Sequence, residues 1–81
     1  MDDLVDQALG QALRKLRTER GWSQSELALR ADMDRNYLSL IELGRNSPSV
    51  RMLVHLCLAL DVRPADVLAD VERRVEVQKL P

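Results

Sequence analysis

Side chains able to do covalent or metal chemistry are few in this chain. His55 and Cys57 are the only histidine and the only cysteine among 81 residues. Two positions apart on a helix they project about 160° away from each other, so they cannot act on one substrate or hold one ion. No phosphate-cradling glycine loop, no His-Glu-x-x-His pair and no second cysteine accompanies them. Catalysis is rejected on these grounds, no cofactor or metal is expected, and Cys57 reads as a buried structural thiol. A different chemistry lies in Asp34–Gly44, DRNYLSLIELG. At about 100° per residue, Tyr37, Leu38, Ile41 and Glu42 fall on one arc of a helix, and Arg35, Asn36, Ser39, Leu40 and Leu43 on the other. The first arc suits a core. The second carries a guanidinium, an amide, a hydroxyl and two leucines where a solvated face would carry Lys and Glu. Such a face is built to touch something.

The elements that must hold this face can be read around it. From Leu4 to Arg20, apolar residues at Leu4, Val5, Ala8, Leu9, Ala12, Leu13 and Leu16 form the stripe of one amphipathic helix, stopped by Gly21. Ser23-Gln24-Ser25-Glu26 is a capping box, opening a short helix to about Arg30 with Leu27, Ala28 and Ala31 inward. Ala31–Met33 leaves room only for a tight turn, in which Asp32 tolerates a left-handed backbone better than most residues. Asp34 is placed to cap the next helix through its carboxylate, and Gly44 ends it. Arg45–Pro48 is a loop. Ser49 caps a fourth helix, Val50 to about Leu60, and Pro64 starts a fifth, running to about Arg73. The alternating end, VEVQKLP, is compatible with a short strand, a frayed helix end or a disordered tail. The expectation is an all-α domain of five short helices with its core in residues 9–71.

Composition sets the bounds. Apolar residues make up 46% of the chain, yet only Trp22 and Tyr37 are aromatic, so the core must be aliphatic. No apolar run approaches the ~20 residues of a membrane span. An acidic start without a basic leader and a single cysteine point to the cytoplasm. The net charge of −1 argues against a polyanionic partner only until its distribution is considered. Residues 14–51 hold eight Lys or Arg against five Asp or Glu, while the segments on either side are net acidic. Local charge on one face matters more to a polyanion than the total.

Two short helices joined by a three-residue turn, the second with a polar outward arc, have the outline of a helix-turn-helix. LRTERGWSQSELALRADMDRNYLSLIELGRNSPSVRMLVHLCLALDV resembles the XRE/Cro-like helix-turn-helix family. The shared blocks are the Leu-Arg pair, G-x-S-Q-x-E-L-A, S-x-I-E-x-G, N-x-P-S and A-L-x-V, spread without gaps over about residues 9–68. The DRNY…IELGRNSPS portion is especially similar to controller proteins of restriction–modification systems. Asp32 stands where the family turn usually has glycine, and Leu40 and Leu43 stand where polar or basic residues are common.

The resemblance implies a lambda-repressor-like fold and sequence-specific binding of double-stranded DNA by a transcriptional regulator. Arg35 is then placed to reach guanine O6 and N7, Asn36 adenine N6 and N7, and Leu40 a thymine methyl, with Ser39 serving a base or a phosphate. Ser23, Gln24, Tyr37, Arg45, Asn46 and Ser47 are the expected backbone contacts. Arg17 and Glu42 are the implied ion pair tying the first helix to the recognition helix. Each assignment has a structural rival: Arg35 as a solvated partner of Asp34, Asn36 as a cap, Tyr37 as a core edge, and Leu40 and Leu43 as a protein-facing patch. One domain reads only a few base pairs, so a homodimer on a roughly palindromic site is expected. Val62, Val67, Leu68 and Val71 are the candidates for its interface, against the alternative that they close the monomer core. At this length no effector domain, and so no small-molecule ligand, is expected. From a different class, an antitoxin-like module would use Leu29, Leu40 and Leu43 to bind a partner protein.

Overall fold

Helix boundaries follow the local chemistry closely. The computed structural model describes residues 3–79 and gives α1 (Leu4–Glu19), α2 (Gln24–Arg30), α3 (Arg35–Glu42), α4 (Val50–Leu60) and α5 (Pro64–Lys79). Side-chain oxygens of Asp3, Ser23 and Ser49 accept the Val5, Glu26 and Met52 N–H groups at 2.7, 3.1 and 3.1 Å, satisfying donors that have no intrahelical partner. Chain reversals use positive φ at Gly21 (72°) and Gly44 (76°), and at the non-glycine residues Asp32 (54°) and Asp61 (56°). Asp32 thus takes the left-handed conformation its turn demands.

Three local expectations need correction. Asp34 occupies the N-cap position of α3 with extended backbone, but its carboxylate makes no capping bond; the exposed side chain stays in water. The box at α2 closes on one side only. Ser23 accepts from Glu26, while the Glu26 carboxylate turns to Arg30 Nε at 2.8 Å, one helical turn on, where the Arg30 guanidinium also stacks over Trp22 at 4.2 Å. The third concerns α5, which continues past Arg73 to Lys79. Taken alone, VEVQK alternates with period two; beside Val67 and Val71, Val75 continues an i, i+4 stripe and packs on the core. Arg74 supports the extension, donating to Asp70 at 3.0 Å and to Gln11 of α1 at 3.4 Å. The last two residues of the alternating segment lie outside the described region.

The core is aliphatic, as a chain without Phe requires. Ala8, Leu13, Leu27, Leu38, Ile41, Leu56, Cys57 and Leu60 have no exposed surface. They come from four helices, with Val67 and Val71 of α5 closing the cluster at 3% and 5% exposure. That burial removes Val67 and Val71 from any surface offered to a second copy. Val62 is half-buried against the same core, and of the four residues expected at a dimer interface only Leu68 stands exposed. The cause is helical phase: Val67 and Val71 are i, i+4 and face α1, and Leu68 lies 100° round from Val67.

Asp70 supports a modest prediction about this packing. Burial alone would raise its carboxyl, but hydrogen bonds from Arg74 and Arg73 and their charge hold it below the usual range. Because the folded value is depressed, the stabilisation is present above the unfolded value of ~3.9 and lost as pH falls through the folded one. These groups are partly solvated, so Asp70→Asn is expected to cost only about 0.5–1 kcal/mol at pH 7. Urea midpoints of parent and variant should converge at acid pH; a gap that persists there would assign the effect to packing.

Candidate nucleic-acid interface

Residues from three helices meet on the Glu42 carboxylate. Arg17 of α1 donates from Nε to Oε2 at 2.7 Å and from a terminal nitrogen to Oε1 at 2.9 Å. Its other terminal nitrogen donates to the Trp22 carbonyl at 2.7 Å, so the same guanidinium ties the α1–α2 connection. Gln24 of α2 donates its amide to Glu42 Oε1 at 3.1 Å. The Arg17 and Glu42 side chains are only 11% and 3% exposed. The hydrogen bond to Glu42 raises the Arg17 guanidinium above its ordinary value, burial opposing it. This is a bidentate pair in fork geometry, and it fixes the end of α3 relative to both neighbouring helices.

Backbone contact holds α3 as well. Gly10, mid-way along α1, is buried against the last turn of α3. A Cβ there would press into the Ile41 carbonyl oxygen and lie 2.6 Å from that of Glu42. At Gly44, beyond the helix end, a Cβ would meet the Gln7 Cα at 2.9 Å. Nothing in the sequence reading singled out Gly10. The available signal was a lone glycine inside an otherwise good helical stripe, where it weakens the helix by about 1 kcal/mol relative to alanine and calls for a packing reason.

With its inner arc held, α3 presents the other arc outward. Leu38 and Ile41 are fully buried and Glu42 nearly so, whereas Arg35 and Asn36 are exposed. Ser39 is half-buried, and Leu40 and Leu43 are 41% and 56% exposed. Arg35 forms no ion pair among the described residues, with Asp34 or any other acid. Its guanidinium and the Asn36 amide are therefore open to an external partner. The loop after α3 carries Arg45, Asn46 and Ser47 at the surface. Asn46 Oδ1 accepts the Ser47 N–H at 3.0 Å, and the half-buried Tyr37 donates its hydroxyl to the Ser47 carbonyl at 3.4 Å. Tyr37 is thus a brace between α3 and the loop. The Ser23 hydroxyl and one Gln24 amide hydrogen serve the local structure, and each group keeps a further hydrogen to donate.

The candidates for other chemistry are dispersed. Cys57 is fully buried, and burial pushes its thiol up, away from the nucleophilic thiolate. His55 lies on the surface of the same helix. Among the described residues no group of His, Cys, Asp or Glu is placed to hold a metal ion, and no helix is long and apolar enough to cross a membrane.

Comparison with known proteins agrees with this geometry. A helix-turn-helix family model matches residues 13–67. The transcriptional regulator ClgR of Mycobacterium tuberculosis is 35% identical over 79 residues, spanning 98% of this chain and 70% of that protein. The crystal structure of the clp gene regulator ClgR from Corynebacterium glutamicum superposes with a TM-score of 0.88 at 36% identity, covering 96% of this chain and 83% of the other. The restriction–modification controller protein C.AhdI from Aeromonas hydrophila superposes with a TM-score of 0.73 at 40% identity, over 80% of this chain and 96% of its own. With five helices in the same arrangement and an outward-facing α3, the chain belongs to the XRE-type helix-turn-helix family of DNA-binding transcriptional regulators, on the lambda-repressor-like fold.

Proposed function

We propose that the protein binds double-stranded DNA sequence-specifically, as a homodimer on a roughly palindromic operator, and regulates transcription in the cytoplasm through its own concentration. The observation that carries this reading is the two-sided character of α3. One side is locked by Leu38, Ile41 and the Arg17–Glu42–Gln24 cluster; the other leaves Arg35, Asn36 and Leu40 exposed and unpaired. A rigid helix with free groups able to make bidentate hydrogen bonds is what base-edge recognition in a major groove requires. Arg35 and Asn36 would read guanine and adenine, Leu40 a thymine methyl, and Ser39 a base or a neighbouring phosphate. Ser23, Gln24, Tyr37, Arg45, Asn46 and Ser47 would grip the backbone on either side. Leu68, with the rim of Val62, is the part of the expected dimer surface that remains available. No cofactor or small-molecule ligand enters this reading.

Selection from a pool of randomised duplexes tests it directly. A two-fold symmetric motif is expected, and Arg35→Ala should relax one position in each half-site and weaken binding by about 1–3 kcal/mol per half-site, roughly fivefold to 150-fold. Titration should steepen as dimers form. The second reading, an antitoxin-like module, has Leu29, Leu40 and Leu43 at 76%, 41% and 56% exposure in its favour. Under it the selected pool is featureless, and Leu40→Ala changes affinity for a protein partner instead of base preference.

A further inference from the structure

A hollow of about 210 Å³ lies where α1, α2 and α3 converge, lined by Arg14, Arg17, Gln24, Ser39, Glu42 and Leu43. Its charges do not balance. The two oxygens of Glu42 already accept three hydrogen bonds, two from Arg17 and one from Gln24. The Arg17 charge is itself paired with Glu42, and the guanidinium also donates to the Trp22 carbonyl. Arg14, exposed on the same wall one helical turn before Arg17, has no acid within ion-pair reach among the described residues. The hollow therefore carries one uncompensated positive charge. Beside it stand two neutral donors, the Ser39 hydroxyl and the second Gln24 amide hydrogen. A cation flanked by neutral donors suits an anionic oxygen and disfavours another cation.

We infer that Arg14 is a DNA-backbone contact supplied by α1, gripping a phosphate next to the groove that α3 enters. The assignment rests on the DNA-binding reading above and adds a third helix to the contact surface. Phosphate is favoured over a base because Arg14 belongs to α1 and not to the recognition helix, and the donors that share its hollow, Gln24 and Ser39, include the proposed backbone contact Gln24. Such a contact positions the protein and carries no sequence information.

The test is a salt series. Binding of the full chain to its selected duplex is followed by fluorescence anisotropy, for the parent, Arg14→Gln, Arg14→Lys and Arg35→Ala. Arg14→Gln should weaken binding equally across duplex sequences. It should also reduce the slope of log K against log salt concentration by about one for each protomer bound. Arg14→Lys keeps the charge and should keep the slope, and Arg35→Ala should relax base preference. The urea midpoint of Arg14→Gln should match the parent, because Arg14 makes no bond within the described chain. An unchanged slope in Arg14→Gln, or a base preference altered at one position, would overturn the assignment while leaving DNA binding intact. A parent protein that binds no duplex would overturn the DNA reading and this inference with it.

Discussion

Arg17→Ala is expected to destabilise the folded protein by about 3–5 kcal/mol, since removing one partner of a buried pair leaves the other charge uncompensated. The Glu42 side chain is 3% exposed and would be left facing Gln24 alone. For a chain of 81 residues, typical total stability is roughly 4–12 kcal/mol, so the variant is expected to lose at least about a quarter of it. Urea unfolding followed by circular dichroism measures the loss. A reduction under about 1 kcal/mol would mean that the pair is solvated in solution and does not organise α3. The double variant Arg17→Met, Glu42→Leu removes both charges and should recover most of the stability. It should not recover DNA affinity, because Gln24 then loses its acceptor and the end of α3 loses its directional tether.

Gly10→Ala should cost about 3 kcal/mol, near the upper end for overpacking, despite placing a better helix former in α1. Two effects oppose each other. Alanine in a helix interior gains about 0.5–1 kcal/mol over glycine. Against this, the new methyl would lie 2.6 Å from the Glu42 carbonyl oxygen and press on that of Ile41. Both are backbone atoms of a helix end and cannot rotate aside as a side-chain tip would. The steric term wins, and relief requires α1 and α3 to separate. Gly10→Ala should therefore lower DNA affinity more than its residual stability alone accounts for, with no contact residue altered. Equal or greater stability than the parent would show that α3 shifts freely on α1, and the rigid-platform argument would fail.

The resolution of the α3 arcs shows how much periodicity alone conveys. Leu38 and Ile41 are fully buried, while Arg35, Asn36, Leu40 and Leu43 are exposed, as 100° per residue requires. Caps at Ser23 and Ser49, stops at Gly21 and Gly44 and the left-handed turn at Asp32 were legible for the same reason. Each is a contest among a few neighbouring groups whose outcome depends on residue type. Asp34 and Glu26 mark the limit. Both are good capping types, yet Asp34 stays in water and Glu26 joins Arg30.

What the sequence by itself determined is the set of five helices, the aliphatic core and the identity of the outward groups on α3. These follow from local energetics and from a period intrinsic to the helix. The tertiary structure alone decided which apolar residues of α5 are left for a partner, how far α5 extends, why Gly10 must be glycine, and that Arg14 shares a hollow with Gln24 and Ser39. Each of these depends on the rotation and separation of two helices distant in sequence. A residue's period states which neighbours on its own helix it stands beside, and leaves open which backbone will be pressed against it.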